Sequence, residues 1–421
     1  MTLSDLAELL PPDAVPSSRP RPSPGRKLGV FDDNRARPIH RWYPFVEGYS
    51  DELVAECLDE AGTKDIAVLD PFGGSGTTAL AASFRGHDSM FCEVNPYLAW
   101  VADVKVNVTR DAAQQDVDSL RHLAERIERD GVATGGSNHP LVHADQRRGF
   151  FPQGVVRQIV GLLELVDAEF EGSQRELARL AVATSLIPTS NMIRRTDLRK
   201  RRDGDPVPLP FTQTVARQLR MIHEDVLRAG SALVGHATRV AGDARQLVST
   251  PTPVNLVVTS PPYLNGTNYC RNTKLELLAL SLIEEEQDLA TLRTDSITAG
   301  INNVSRRRSE PDLIDAVEET AAQLDEVAYD QRIPRLVRLY FADMRLVFRA
   351  VRAQVAPGTR FALDIGDSRF AGVHVPTPAL LAEVASGEGW DLGSTRVLRT
   401  RRSYDGTPLE QVLLNFTSVE S

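Results

Sequence analysis

Two short stretches hold residue types that could do chemistry together. The first is Asp70-Pro71-Phe72-Gly73-Gly74-Ser75-Gly76-Thr77, which follows the apolar run Ile66-Ala67-Val68-Leu69. Glycines there let the backbone turn sharply and approach a ligand closely, at the carboxyl end of a strand where open α/β sheets bind their ligands. Their spacing departs from GxGxxG, which disfavours a dinucleotide pyrophosphate. Glu93 ends the next apolar run, 17 positions after Gly76. A carboxylate there can accept hydrogen bonds from both ribose hydroxyls of a nucleoside cofactor, adenosylmethionine as well as NAD. The second stretch is Ser260-Pro261-Pro262-Tyr263, directly after the apolar run Val254–Thr259. Pro-Pro by itself often marks nothing more than a turn, but its place after a strand turns a rigid loop toward a ligand site.

The elements that must position these stretches are also readable. Ile66–Asp70, the helical composition of Thr77–Ala82 and the run Ser89–Val94 fit within about 30 residues, the size of one βαβ unit, so the sheet is parallel here. Val254–Thr259 and Phe361–Gly366 are continuous apolar runs that suit strands covered on both faces. Two strand candidates, 393–400 and 409–417, close the chain around a turn at Asp405-Gly406. Ser50-Asp51-Glu52 starts a helix, and the first structured segment begins near His40-Arg41-Trp42-Tyr43. The organisation expected is α/β: residues 1–30 a disordered proline-rich arm, 31–108 and 236–421 the core, 109–235 a helical insertion, and 270–335 a second, acidic helical insertion within the core. No internal repeat is found.

Composition removes several classes. With 421 residues, 42% of them hydrophobic and 25% charged, the chain is long enough for a large core plus inserted subdomains. Cys57, Cys92 and Cys270 are far apart, so neither a disulfide framework nor a metal site is indicated. No apolar run approaches a bilayer-spanning length and no signal-peptide order is present, so a cytoplasmic protein is expected. The net charge of −9 confines any nucleic-acid contact to a local basic patch.

With both stretches in hand, the sequence resembles the DNA amino-methyltransferases, whose hallmarks are the glycine-rich loop and a (Asp/Asn/Ser)-Pro-Pro-(Tyr/Phe) tetrad. Ser in first place, as at Ser260, resembles the cytosine-N4 enzymes; Asp is typical of adenine-N6 enzymes. The resemblance implies a Rossmann-like S-adenosylmethionine-dependent methyltransferase sheet with helices on both faces and an antiparallel C-terminal hairpin. It further implies S-adenosylmethionine as cofactor, double-stranded DNA as substrate with the target base flipped, and a place in restriction-modification, where a cognate restriction or defence partner stays open. Glu93-Val94-Asn95-Pro96 is similar to the second motif of the family. Gly242-Asp243-Ala244 is similar to the third, in which an acidic side chain meets the adenine amino group. His40–Ser50 resembles the N-terminal motif that closes over the methionine part and brings in Tyr43. The cofactor-binding set so implied is Asp70, Phe72, Gly73, Gly74, Gly76, Thr77 and Thr78 with Glu93, Asn95, Pro96, Asp243, Ala244 and Tyr43. The catalytic set is Ser260, Pro261, Pro262 and Tyr263.

The tetrad has a physical logic in that setting. The lone pair of cytosine N4 is delocalised into the ring and must be drawn toward tetrahedral geometry before it attacks a sulfonium methyl. Ser260 Oγ and the Pro261 carbonyl can each accept one amine hydrogen, with the prolines fixing their aim. Tyr263 can stack on the extruded base and recover part of the cost of unstacking. Transfer is then direct, and no cysteine is needed as nucleophile.

For the nucleic acid itself, residues 194–202 hold six cations, Arg194, Arg195, Arg199, Lys200, Arg201 and Arg202, against the single anion Asp197. This is a phosphate grip or a solvated loop. Arg306-Arg307-Arg308 and Arg399, Arg401 and Arg402 repeat the signal more weakly. Asn265, Asn268 and Tyr269 either meet the flipped base edge or satisfy loop backbone. The family likeness covers 40–108 and 236–417, leaving both insertions unmatched and the subclass unassigned. The alternatives are an adenine-N6 or RNA base methyltransferase on the same core, a nucleotide-dependent oxidoreductase, and a non-catalytic DNA-binding subunit.

Overall fold

In the computed structural model the described residues are 28–44, 48–62, 66–195, 197–264, 269–305, 308, 312–403 and 406–420. Most of the proline-rich arm, together with Asn265, Asn268, the Tyr269 side chain, Arg306, Arg307 and Asp405, lies outside them. Leu28, Gly29 and Val30, grouped with the arm on composition, are instead held in the fold. The Leu28 carbonyl accepts from Ser50 N (2.9 Å) and the Gly29 carbonyl from Gln411 Nε2 (2.8 Å).

Seven strands form the central sheet: β1 (Val68–Asp70), β2 (Ser89–Cys92), β3 (Ala237–Ala241), β4 (Val254–Thr259), β5 (Val355–Gly366), β6 (Trp390–Arg402) and β7 (Pro408–Ser418). Their spatial order is β6-β7-β5-β4-β1-β2-β3. β3, β2, β1, β4 and β5 run parallel to one another, and β7 runs antiparallel to both β5 and β6. This is a Rossmann-like sheet closed by an antiparallel hairpin, as the resemblance implies. Chain order reverses between β1 and β4, so the carboxyl ends of these two strands flank the switch-point crevice.

Period-two alternation splits the apolar residues of each strand between two layers. Val68, Leu256, Val258 and Ala362 meet Leu53, Val54 and Leu58 of helix α1 (Asp51–Ala61), which Ser50 caps through its hydroxyl. Leu69, Val257, Phe361 and Leu363 meet Leu336, Tyr340, Met344 and Val347 of the long helix Arg332–Arg352. Continuous apolar runs in β4 and β5 are therefore the signature of burial on both faces. Helix α2 (Thr77–Ser83) starts after Gly76, whose φ of 84° suits glycine; a Cβ there would lie 2.8 Å from Ala102 Cβ.

Residues 109–235 fold mainly as helices, among them Gln114–Asp130, Val155–Glu169, Gly172–Thr189 and Phe211–Ala229. In the last of these, Val215, Leu219, Ile222 and Val226 form one buried stripe at helical spacing. Asp225 on the same helix accepts from Ile39 N (3.0 Å), Trp42 Nε1 (2.9 Å) and Arg41 Nη2 (2.6 Å), docking the insertion onto the N-terminal segment. Among these helices runs an antiparallel ribbon, Met192–Arg194 with Leu198–Lys200, where the sequence suggested a phosphate grip or a solvated loop. No helix among the described residues is long and apolar enough to cross a membrane.

Candidate active site

The glycine turn is fixed from beneath. Asp70, at the end of β1, accepts from Thr78 Oγ1 (2.6 Å), Thr259 Oγ1 (2.5 Å), Tyr49 OH (3.0 Å) and Phe72 N (3.0 Å). One buried carboxylate thus ties β1, α2, the end of β4 and the segment before α1 together. Burial raises its pKa and these four donors oppose that rise. Four well-placed donors are what such a carboxylate requires, because an unpaired buried charge is costly.

Glu93 holds the turn from the other side. Its Oε2 accepts from Gly74 N (2.8 Å) and its Oε1 from Asn95 N (2.8 Å). Burial pushes its carboxyl up to about 7, against the pull of these two N–H groups. Asn95 caps helix α3 (Pro96–Asp103) through Oδ1 and donates Nδ2 to Thr273 Oγ1 (2.7 Å), coupling this end to the second insertion.

The Ser-Pro-Pro-Tyr loop leaves the end of β4 and faces the same space. Tyr263 OH lies 2.9 Å from Gln411 Nε2 of β7, and it hydrogen-bonds the buried Asp364 of β5. Gln411 Nε2 also reaches Asp364 Oδ1 at 2.9 Å and Oδ2 at 3.0 Å. Burial pushes Asp364 up to about 7, offset in part by these hydrogen bonds from Gln411 and Tyr263. The ring of Tyr263 is therefore aimed by its hydroxyl and lies over Gly366, where a Cβ would stand 3.4 Å from Tyr263 Cε2.

Between the two loops lies a cavity of about 460 Å³, within the range of small-molecule sites. Phe72, Gly74, Glu93 and Asn95 line one side with Asp243 and Ala244, and Ser260, Pro261, Pro262 and Tyr263 line another. Asp70, Gly73, Gly76, Thr77, Thr78 and Pro96 do not line it: the first five belong to the turn and its supports, and Pro96 opens helix α3. At Gly73 a Cβ would sit 2.9 Å from the Phe91 ring, so this glycine serves the close approach of loop and strand. Asp243 lines the cavity, but its carboxylate is engaged by Arg245 through Nε (2.9 Å) and Nη2 (2.7 Å), and Arg245 also pairs with buried Asp343 (2.8 Å). Tyr43 departs further from expectation. It is buried in the core, edge-on to Tyr97 at 5.3 Å between centroids, away from the cavity.

The basic run is corrected in the same way. Arg194 is partly buried, pairs with the buried Glu276 at 2.5 Å and lies over the Tyr43 ring at 5.3 Å, so it is an internal ion pair and not a phosphate contact. Arg199 pairs with Asp205 at 2.6 Å, and Arg201 donates to the carbonyls of Ser190 (3.0 Å) and Pro206 (2.5 Å). Lys200 and Arg202 are exposed, and Arg195 is largely exposed beside Asp205 at 3.6 Å. Sequence reasoning missed Gly29, Val30 and Gln411 as lining residues and Asp364 as the brace of Tyr263, because strand pairing brings in Gln411 and Asp364 from distant parts of the chain and Gln411 in turn holds Gly29. Cys57, Cys92 and Cys270 are free and buried. Among the described residues no group of His, Cys, Asp and Glu could hold a metal ion.

No protein-family model matches the chain. Type II methyltransferase M.AvaI of Nostoc is 24% identical over 89% of this chain and 84% of its own length. Type II methyltransferase M.BsoBI of Geobacillus stearothermophilus is 22% identical over 90% of this chain and 83% of its own. Among solved structures, an S-adenosylmethionine-dependent methyltransferase from Methanosarcina mazei aligns at a TM-score of 0.31 and 7% identity, over 86% of this chain and 97% of that one. A sequence match over 89% of the chain is too long to omit either insertion, so it extends the likeness beyond the core to which the motifs alone had confined it. Through about nine-tenths of its length, the chain is similar to Type II methyltransferases.

Proposed function

We propose that the protein is an S-adenosylmethionine-dependent DNA methyltransferase that modifies cytosine N4 of a flipped base. One observation carries the reading: the residues of the glycine turn and those of the Ser-Pro-Pro-Tyr loop line a single cavity at the switch point of the sheet. The similarity to Type II methyltransferases supports the same reaction class. The cavity suits the cofactor on its own chemistry. A glycine turn with free backbone approach, Glu93 for ribose hydroxyls, and a wall of Asp243 and Ala244 would hold a nucleoside whose far end bears a positive charge. When bound, that cofactor supplies an electrophilic methyl group on sulfur.

The chain does the rest by positioning. Ser260 Oγ and the Pro261 carbonyl accept the two hydrogens of the target amine and draw its lone pair out of the ring, while Pro261 and Pro262 hold the backbone. Tyr263, pinned at its hydroxyl by Gln411 and Asp364, offers the extruded base a fixed face. Arg195, Lys200 and Arg202, the solvent-facing cations of the ribbon region, are proposed to hold the DNA backbone away from the cavity.

The deciding experiment incubates the purified protein with unmethylated bacteriophage DNA and labelled cofactor, then digests the DNA to nucleosides. N4-methylcytosine is expected. N6-methyladenine alone overturns the choice of base, and absence of any labelled nucleoside overturns the reaction. Tyr263→Ala should slow turnover more than it weakens cofactor binding, whereas Gly74→Val should abolish cofactor binding. Because only the ionised Glu93 accepts from both ribose hydroxyls, cofactor affinity should fall about tenfold per pH unit below about 7 and level off above it. In Glu93→Gln that slope should vanish, as isothermal titration across pH would read directly.

A further inference from the structure

The hairpin register points to a second binding element, one that rests on the proposed methyl transfer to DNA. In the β6–β7 pairing Val397 stands opposite Val412, but Arg399, not Leu398, stands opposite Gln411, and Arg401 opposite Leu409. Leu398 is the extra residue of a β-bulge. Without it the alternation of side chains would send Arg399 and Arg401 to the other face of the sheet; with it they share the face of Gln411. Bulges beside functional sites characteristically re-aim side chains in this way.

The row that results leads straight to the candidate site. Arg399 pairs across to Gln411, and Gln411 pairs across to Gly366, on which the Tyr263 ring rests. Adjacent strands are about 4.8 Å apart, so a guanidinium on Arg399 projects from the edge strand beside the tetrad. Both arginines line the cavity. Arg401 is oriented by donation of Nη2 to the Asp367 carbonyl (3.0 Å), and among the described residues its other N–H groups have no partner. Arg399 has no carboxylate partner among the described residues. Arg396, on the same face further along β6, is by contrast paired with Glu56 at 2.8 Å.

The cavity is thus electrostatically two-ended. Glu93 and Asp295 mark one end, where Asp243 is already paired with Arg245, and Arg399 and Arg401 the other, in a chain whose net charge is −9. A positively charged cofactor suits the first end and a polyanion the second. We infer that Arg399 and Arg401 form a phosphate clamp at the rim of the cavity, gripping the backbone of the nucleotide whose base enters it. The clamp faces one strand of DNA and sets the direction from which the base arrives.

The test compares the full-length protein with Arg399→Gln/Arg401→Gln and, as a control, Arg396→Gln. Binding to fragments of unmethylated bacteriophage DNA is followed from low to moderate salt, together with kcat and KM for methyl transfer and with cofactor affinity. Each lost phosphate contact should reduce the slope of log affinity against log salt by about 0.9. The double variant should therefore lose between one and two units of slope and at least tenfold in affinity. Its kcat should fall as well, because the base is no longer delivered to the tetrad, and cofactor affinity should not move. A salt slope and kcat equal to those of Arg396→Gln would overturn the clamp. Wild-type protein that binds DNA with the full salt slope yet methylates no base would overturn the proposed reaction while leaving the clamp standing; normal methylation with an unchanged slope in the double variant would do the reverse.

Discussion

Two basic regions of this molecule, residues 194–202 and the pair Arg399 and Arg401, differ in the opposite sense from what their charge density suggests. The first has six cations in nine residues, yet Arg194, Arg199 and Arg201 are already spent on Glu276, Asp205 and backbone carbonyls. The second has two cations on an edge strand at the mouth of a cavity, and among the described residues most of their donors have no partner. What matters for binding an external anion is whether the fold has supplied the counter-charge from within. A guanidinium carries five donors in a rigid fork, so it is equally suited to bracing a loop and to gripping a phosphate. Its surroundings decide which.

The sharpest way to break this comparison is Arg194→Ala. If Arg194 were a surface phosphate contact, its removal would weaken DNA binding and leave the fold intact. As the partner of Glu276, whose side chain is 1% exposed, its loss strands a carboxylate in the core, and the expected cost is about 3–5 kcal/mol. Denaturant unfolding reads that directly. The double replacement Arg194→Met/Glu276→Leu removes both charges and should recover most of the stability, since an apolar pair of similar size often replaces a buried ion pair without loss. An Arg194→Ala protein of wild-type stability would sink the assignment.

Arg201→Ala tests the intermediate case. Its guanidinium bridges the carbonyls of Ser190 and Pro206, on either side of the ribbon, and no DNA is needed to explain it. Because the site is partly solvated, water can replace some of these bonds, and the expected cost is about 1 kcal/mol. Hydrogen exchange should quicken locally across residues 187–206 with turnover on DNA little changed.

How far such distinctions are legible in sequence depends on how the partners are encoded. The glycine turn could be read because Asp70, Thr78 and the glycines lie within a few residues of one another at the end of an apolar run. Ser260–Tyr263 likewise announces itself at the end of β4. What escaped was non-local. Tyr263 and Gln411 are 148 residues apart, and the β4–β5 and β5–β7 registers bring them together. The bulge at Leu398 leaves no compositional mark, though it decides which face Arg399 occupies. Tyr43 and Arg194 were read as ligand and phosphate contacts, but they are stacked on each other in the core, a pairing of an aromatic face with a desolvated cation that no local pattern reports. Asp70 was assigned to the cofactor and in fact aims the turn from below, since a carboxylate with four internal donors has little left to offer a ligand.

The smallest effect on the fold belongs to Lys200→Ala/Arg202→Ala, and it sharpens the comparison most finely. Both residues are exposed on the ribbon and its following turn, so the melting temperature should not change. If they hold DNA as proposed, the salt slope should fall by up to about two units, as it does for the hairpin pair. The two regions should nevertheless separate kinetically. Contacts distant from the cavity position the duplex without touching the nucleotide that leaves it, so their loss should raise KM for DNA and leave kcat at saturation unaltered. Loss of the hairpin arginines should lower kcat itself. If instead the ribbon variant loses kcat while the hairpin variant loses only affinity, the target nucleotide is delivered by the helical insertion, and the roles of the two basic regions must be exchanged.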